Sequence, residues 1–466
     1  MTNRTKQKIT LQELVSEFET MKTAGSVIFL EDKSYRDLID LYEAESQIDR
    51  ALEVVDFALV QFQFRSDFYF TKSKLLFQKQ QFDQSLEYIL KAENISPFEF
   101  EIQLFKIEIL LKLGSVEEAQ KELKELEQTC SKSDLPEVYL AEAFILEKMN
   151  DFDAMFQSLK KTLLLDSKHH GALKLILESV ELSKNYEESI FLHKHIIDEN
   201  PYNCLAWYNL GHAYSCVGEY ELAIDALEYS FIIDPMFEEG YMECAELCFQ
   251  IQDYKKSLAI YDEAYENFGF DSDIILNIAH CQFNLNYFDK AELSLKKAIK
   301  LDPYYDEAYY LLANCYLQEE KFKEAIKALN KAIYLDDTRE EYYHSLARCY
   351  VSIGEFRKAK TNYHNAAVKG FEQNLYWEEY TSFLIKLNLY EEAYLIIDEA
   401  EQNTYSDKLQ YCKAVTLVKL GQKKKALLVL EEAISENPDN LKFFFDLLPE
   451  LKDDQDVQSA VRYFLG

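Results

Sequence analysis

The chain has 466 residues and a formal net charge of −33, with 48% hydrophobic and 29% charged residues, so it folds and is not a disordered tail. Only 11 Gly and 7 Pro exclude collagen-like and low-complexity classes and speak against a many-turned all-β fold. The acidic balance argues against nucleic acid as the main partner, and no apolar run is long enough for a membrane-spanning helix.

The N-terminal segment, residues 1–31, is expected to form a tail and a capping helix. Met1 to Thr10 is polar and lacks an apolar signal core, so the chain is expected in a reducing cytoplasm. Thr10-Leu11-Gln12-Glu13 reads as a capping box, with Ile9 and Leu14 placed for a hydrophobic staple. Leu11, Leu14, Val15, Phe18 and Met21 continue at helical spacing, and Gly25 is placed to end that helix. Val27 to Leu30 is a short apolar run expected to pack over the first repeated unit.

From residue 32 onward the sequence repeats. Pro201, Pro235 and Pro303 are 34 and 68 residues apart, and Pro97 and Pro438 share the phase after a two-residue insertion and a one-residue deletion. A breaker at fixed phase marks where every helix pair ends. In the unit starting at Cys204, Trp207, Gly211, Gly218, Tyr220, Ala223, Ser230 and Pro235 stand at positions 4, 8, 15, 17, 20, 27 and 32, with Leu210, Tyr214 and Leu227 at 7, 11 and 24. Position 20 recurs as Ala or Ser in eleven of twelve units, from Ala51 to Ala426, with Met155 the exception. Position 17 is aromatic in nine. Units start at 32, 66, 100, 136, 170, 204, 238, 272, 306, 340, 374 and 407. Each is read as two helices whose apolar faces carry positions 4, 7, 8 and 11, then 17, 20, 24 and 27. Small residues at 8 and 20 let the pair approach closely. Ile39, Ile107 and Leu177 occupy position 8 in early units, where contacts are expected to be wider.

This pattern resembles the tetratricopeptide repeat family, and long cytosolic bacterial arrays in particular. The resemblance covers residues 32–440 and implies an all-α, right-handed α-solenoid of about twelve 34-residue helix-turn-helix units. Residues 441–466 are expected to cap it: Phe444 and Leu447 imitate a further first helix, Pro449 interrupts, and Val457, Val461 and Phe464 give a last amphipathic helix.

No phosphate-binding glycine loop, zinc-protease or nucleophile-elbow motif occurs, so a non-enzymatic protein without cofactor or metal is expected. Cys281, Cys315 and Cys349, each 34 apart, and Cys244 and Cys248 read as buried thiols. His193 and His195 are two apart on a helix and point to different faces, so with His169 and His170 they do not converge on a metal. Lys423, Lys424 and Lys425 form one short basic spot at a turn.

The resemblance further implies that positions 2, 5, 9 and 12 line a concave surface. Those positions hold Tyr208, His212, Glu246, Phe249, Leu276, His280, Phe283, Tyr310, Asn314, Leu317, His344, Arg348 and Val351. Rings beside hydrogen-bonding groups suit a peptide groove. Glutamates outnumber cations there, so the partner expected is a polypeptide with basic and apolar residues. Arg348 would meet an acidic group of the partner or pair with Glu307 or Glu341. The chaperone-tail carboxylate clamp of the family is not met: Lys174 stands four residues before Glu178, and Asn314 four after Tyr310. The reading is therefore a protein–protein interaction scaffold. The alternatives are a constitutive subunit of a larger assembly or a regulatory partner of a separate enzyme.

Overall fold

The computed structural model describes the backbone of residues 3–24, 30–269 and 271–465, with side chains for 11–22, 30–269, 271–459 and 461. Every regular element among them is helical. After an N-terminal helix, Asn3–Ala24, the chain runs through consecutive helix pairs. The first helices are Asp32–Ala44, Ser66–Gln78, Phe100–Leu113, Leu135–Lys148, His170–Ser183, Cys204–Cys216, Glu238–Gln250, Ser272–Asn284, Asp306–Gln318, Glu340–Ser352, Asn374–Lys386 and Asp407–Lys419. Their second helices are Ile48–Gln61, Phe82–Ile95, Val116–Thr129, Phe152–Leu165, Tyr186–Glu199, Tyr220–Ile233, Tyr254–Phe268, Phe288–Leu301, Phe322–Leu335, Phe356–Lys369, Tyr390–Glu401 and Lys423–Glu436. The molecule divides into two compact units, Met1–Gly240 and Tyr241–Gly466, each an α-solenoid in which a helix packs on its neighbours in sequence.

The small residues explain the pairing. Ala223, Ala291, Ala325, Ala359 and Ala393, all at position 20, are fully buried. A Cβ on Gly211 would stand 2.6 Å from Leu227 Cγ and 3.0 Å from the Ala223 carbonyl oxygen, so helix and helix nearly touch there. Where Ser replaces Ala, the close approach is used for hydrogen bonding. Ser73 Oγ donates to the Ser85 carbonyl at 2.7 Å, and Ser85 Oγ returns a bond to the Ser73 carbonyl at 2.8 Å. In the fifth pair, with Leu177 at position 8, the helices pack more loosely against each other than those of the sixth.

One residue sets the turn inside each pair. Gly114, Gly218, Gly354 and Gly421 have φ between 76° and 84°. The other eight pairs put Ser46, Gln80, Asn150, Lys184, Gln252, Asn286, Glu320 and Asn388 into the same left-handed region, φ 56° to 66°. This conformation lets the chain leave one helix and enter the next after one further residue.

The ends differ from expectation in one respect. The N-terminal helix already begins at Asn3, so Thr10 lies in its interior and the capping box over Thr10 to Glu13 does not form. Arg4, Lys6, Gln7 and Lys8 are good helix formers and carry the helix outward past the motif. Phe18 and Met21 are buried against Tyr35 and Leu38 of the first pair. Gly25 and Val27 to Phe29 lie outside the described residues, and Leu30 is buried. At the other end, Leu441–Leu447 buries Phe444, a 3-10 segment Pro449–Asp453 comes next, and Gln455–Leu465 buries Val457. The basic spot acts locally. Lys423 Nζ reaches Asp454 and Asp456, both at 2.8 Å, and fastens that last helix.

Candidate functional site

The expected groove residues fall in both units. In Met1–Gly240, Tyr208 and His212 project from Cys204–Cys216, both half-buried. Tyr208 packs edge-on against Phe237, ring centres 5.2 Å apart. His212 Nε2 lies 3.2 Å from the Glu181 carboxylate.

In Tyr241–Gly466 the sequence-derived residues sort into three groups. Glu246, Phe249 and His280 come together. They line one recess of about 370 Å³ with Tyr261, Asn277 and Glu307. Phe249 stands edge-on to Tyr254 and to His280, 5.1 and 6.3 Å between ring centres, which fixes its plane. His280 Nε2 lies 3.4 Å from Glu307, and that contact holds the Glu307 carboxyl below its usual range despite partial burial. Glu246 is exposed and accepts only a long bond, 3.4 Å, from Gln250. Among the described residues no cation pairs with Glu246, and the Asn277 amide has no hydrogen-bond partner.

Phe283, Tyr310 and Asn314 form the second group, half-buried and not part of that recess. Phe283 packs on Phe288 at 5.5 Å and Tyr310 leans on Tyr342 at 4.8 Å, so these rings serve neighbouring helices as well as solvent.

His344 and Arg348 are the third group, and here the structure corrects the reading. His344 is buried, 8% exposed, between the rings of Tyr363 and Tyr376, and its Nε2 lies 2.8 Å from Glu379. It belongs to the packing between the tenth and eleventh pairs. Leu276, 3% exposed, is likewise core. Arg348 is exposed and, among the described residues, makes no ion pair. Its two expected partners are engaged elsewhere: Glu307 with His280, and Glu341 with Arg339 at 3.4 Å.

Sequence reasoning missed Tyr261 and Asn277. Tyr261 stands at position 24 of a second helix, where most pairs put Leu, Ile or Val, and that departure was the available signal. Asn277 stands at position 6, outside the stripe considered.

The cysteines at position 10 are buried, and burial pushes the thiols up, Cys281 and Cys349 to about 11 and Cys315 to about 12. Such thiols stay protonated and inert at neutral pH. No three His, Cys, Asp or Glu side chains among the described residues gather in a way that would hold a metal ion.

Tetratricopeptide repeat models match residues 66–99, 194–225, 287–349 and 408–440. The chain contains tetratricopeptide repeats in these stretches. Among solved structures, yeast Tom70 is 15% identical, TM-score 0.40, covering 92% of this chain and 98% of its own. The Cut9–Hcn1 assembly of the APC/C is 12% identical, TM-score 0.37, covering 86% and 96%. YrrB, described as having an unusual peptide-binding site, is 18% identical, TM-score 0.33, covering 38% and 91%. No curated protein matches the sequence. Tetratricopeptide repeats are in general non-catalytic modules for protein–protein interaction, and that is the class of function this fold carries. Among the described residues no helix is long and apolar enough to cross a membrane.

Proposed function

We propose that this repeat protein is a scaffold that holds a polypeptide segment on its first-helix face, with a Lys or Arg side chain of that segment seated in the recess of Glu246, Phe249, Asn277, His280 and Glu307. The recess itself supports the reading. It offers one carboxylate that no protein cation neutralises, a second held ionised by His280, an unused amide and the edge of an aromatic ring. A guanidinium or ammonium group fits that set through charge-assisted hydrogen bonds and ring contact. Tyr310 and Phe283, half-exposed farther along the same unit, would meet apolar residues of the segment. The surplus of acid, 83 Asp and Glu against 50 Lys and Arg, would steer a basic partner and make association salt-sensitive.

The test is selection of random peptides on immobilised protein, then binding of the enriched peptides to variants. Enriched peptides should carry Lys or Arg beside an apolar residue. Glu246→Gln with Phe249→Ala should weaken them at least tenfold, with folding verified by circular dichroism. Leu293→Ala with Lys297→Ala, a control on a second helix, should leave them unchanged. Peptides that ignore the first pair of substitutions and are lost with the second would move the working surface to the other helices.

A further inference from the structure

A second cavity lies in Met1–Gly240, well away in sequence from the recess. It occupies about 430 Å³ between Phe100–Leu113 and Leu135–Lys148, the first helices of the third and fourth pairs. That is within the usual size range of ligand pockets. The local sequence accounts for it. The turn entering Leu135–Lys148 from the preceding pair has five residues, 130–134, where the neighbouring turns between pairs, 96–99 and 166–169, have four, and Pro136 opens the helix. Applying positions 5, 9 and 12 to these two pairs returns Leu104, Glu108 and Leu111, then Leu140, Phe144 and Glu147. The stripe is thus apolar here, whereas the next pair presents Lys174, Glu178 and Glu181 at the same positions.

Leu104, Ile107, Leu111, Leu140, Ala141 and Phe144 make the walls. Phe144 is 42% exposed, a large ring left in water at the mouth of an apolar pocket. The charges around the mouth are unequal. Glu108, Glu137 and Glu147 stand against two lysines, Lys112 and Lys148. Lys148 is held by Glu147 at 3.6 Å, and Glu137 lies 3.1 Å from His169. Glu108 is left exposed and without an ion pair among the described residues. Its partial desolvation beside the apolar wall pushes the carboxyl above the ordinary value, with Lys112 and Lys74 pulling the other way.

We infer that this pocket is an anchor site for a large apolar side chain of a polypeptide, flanked in that polypeptide by Lys or Arg lying between Glu108 and the Phe144 ring. The apolar wall takes the anchor, whose burial supplies most of the attraction. The carboxylate and the ring face select a cationic neighbour over an anionic one. The site does not rest on the recess around Glu246: it lies in the other unit, and either could act without the other.

The experiment is fluorescence anisotropy with the fluorescein-labelled peptide Gly-Ser-Lys-Phe-Lys-Ser-Gly and two counterparts, one with Glu-Phe-Glu and one with Lys-Ala-Lys at its centre. It is done in full-length protein carrying Glu246→Gln and Glu307→Gln, so that the other recess cannot answer for this one. The Lys-Phe-Lys peptide should bind saturably with a Kd below about 1 mM. The Lys-Ala-Lys peptide should bind at least tenfold more weakly, and the Glu-Phe-Glu peptide at least fivefold. Ala141→Trp should abolish binding by filling the pocket; Ala141→Met, a milder filling, should weaken it at least threefold should the Trp variant misfold. Glu108→Gln should erase the difference between the Lys-Phe-Lys and Glu-Phe-Glu peptides. Absence of saturable binding, equal binding of Lys-Ala-Lys, or unchanged binding by folded Ala141 variants would overturn the site. Preference for Glu-Phe-Glu would overturn the charge assignment and hand the mouth to Lys112.

Discussion

His193 is enclosed at 0% exposure in the fifth pair, at a position filled by Leu, Ile or Val in most others. Its Nδ1 lies 2.8 Å from the Ser189 carbonyl, and its Nε2 lies 3.3 Å from the Asn209 amide nitrogen, which also donates to the Leu173 carbonyl. That network fits a neutral ring with the proton on Nδ1 and Nε2 accepting. Burial disfavours the imidazolium and lowers its pKa to about 4, against an ordinary 6.5. Between pH 6.5 and 4, therefore, the unfolded chain binds a proton that the folded chain does not. The stabilising contribution is complete above pH 6.5 and is lost as pH falls toward 4, on the order of 3 kcal/mol in all. Urea midpoints measured across that window should fall with pH, and His193→Gln should flatten the part of the slope that His193 supplies. The same close quarters make small residues sensitive. Ala313 is 0% exposed and packs in one cluster with Ala325 and Leu329. Ala313→Leu should cost about 1–3 kcal/mol through overpacking. A denaturation midpoint that stays put would show that the ninth pair does not touch there.

At the scale of the helix pair, the turn residue is the informative position. Glu320 adopts φ 58° and Gly354 φ 77° at equivalent points of consecutive pairs. A Cβ on Gly354 would meet nothing within 4 Å, so Gly354→Ala tests backbone strain alone and should cost about 1 kcal/mol. Glu320→Gly should be neutral or stabilising by up to about 1 kcal/mol, since relief of the left-handed cost opposes the entropy that Gly adds to the unfolded chain. Both are read from urea midpoints, and a destabilised Glu320→Gly would show that the glutamate side chain itself holds the turn. This turn also shows what the sequence reveals and what it hides. The recurring Pro, the Ala and Ser at position 20 and the aromatic at 17 announce the helix boundaries, because each is demanded by a contact inside its own pair. A left-handed Gln80, Lys184 or Gln252 carries no turn signature of its own, and only register identifies it. The candidate site divides the same way. Glu246, Phe249 and His280 emerge from counting along first helices. Tyr261 comes from a second helix, and the enclosure of His344 depends on Tyr376 and Glu379 in the next pair, which no single-unit pattern can see.

For the molecule as a whole, like charge is the dominant long-range term. Most of the ion pairs, such as Lys160–Glu188 and Lys360–Glu392, lie in partly exposed positions where each contributes little. The net −33 therefore opposes folding more than the pairs support it. Raising sodium chloride from about 0.01 M to about 0.15 M shortens the screening length from about 30 Å to about 8 Å. The melting temperature should rise by a few degrees; a fall would mean that the ion pairs outweigh the repulsion. Packing in which a helix meets mainly its own pair and the adjoining pairs has a different consequence. Tension applied to the two ends meets no long-range clasp that must break all at once. Each unit should come apart from an end, pair by pair, releasing a contour of about 110–120 Å for every 34 residues freed. An optical trap would record that as a staircase of similar small steps. On relaxation the steps should close again in reverse order, giving the chain the mechanics of a spring with countable coils.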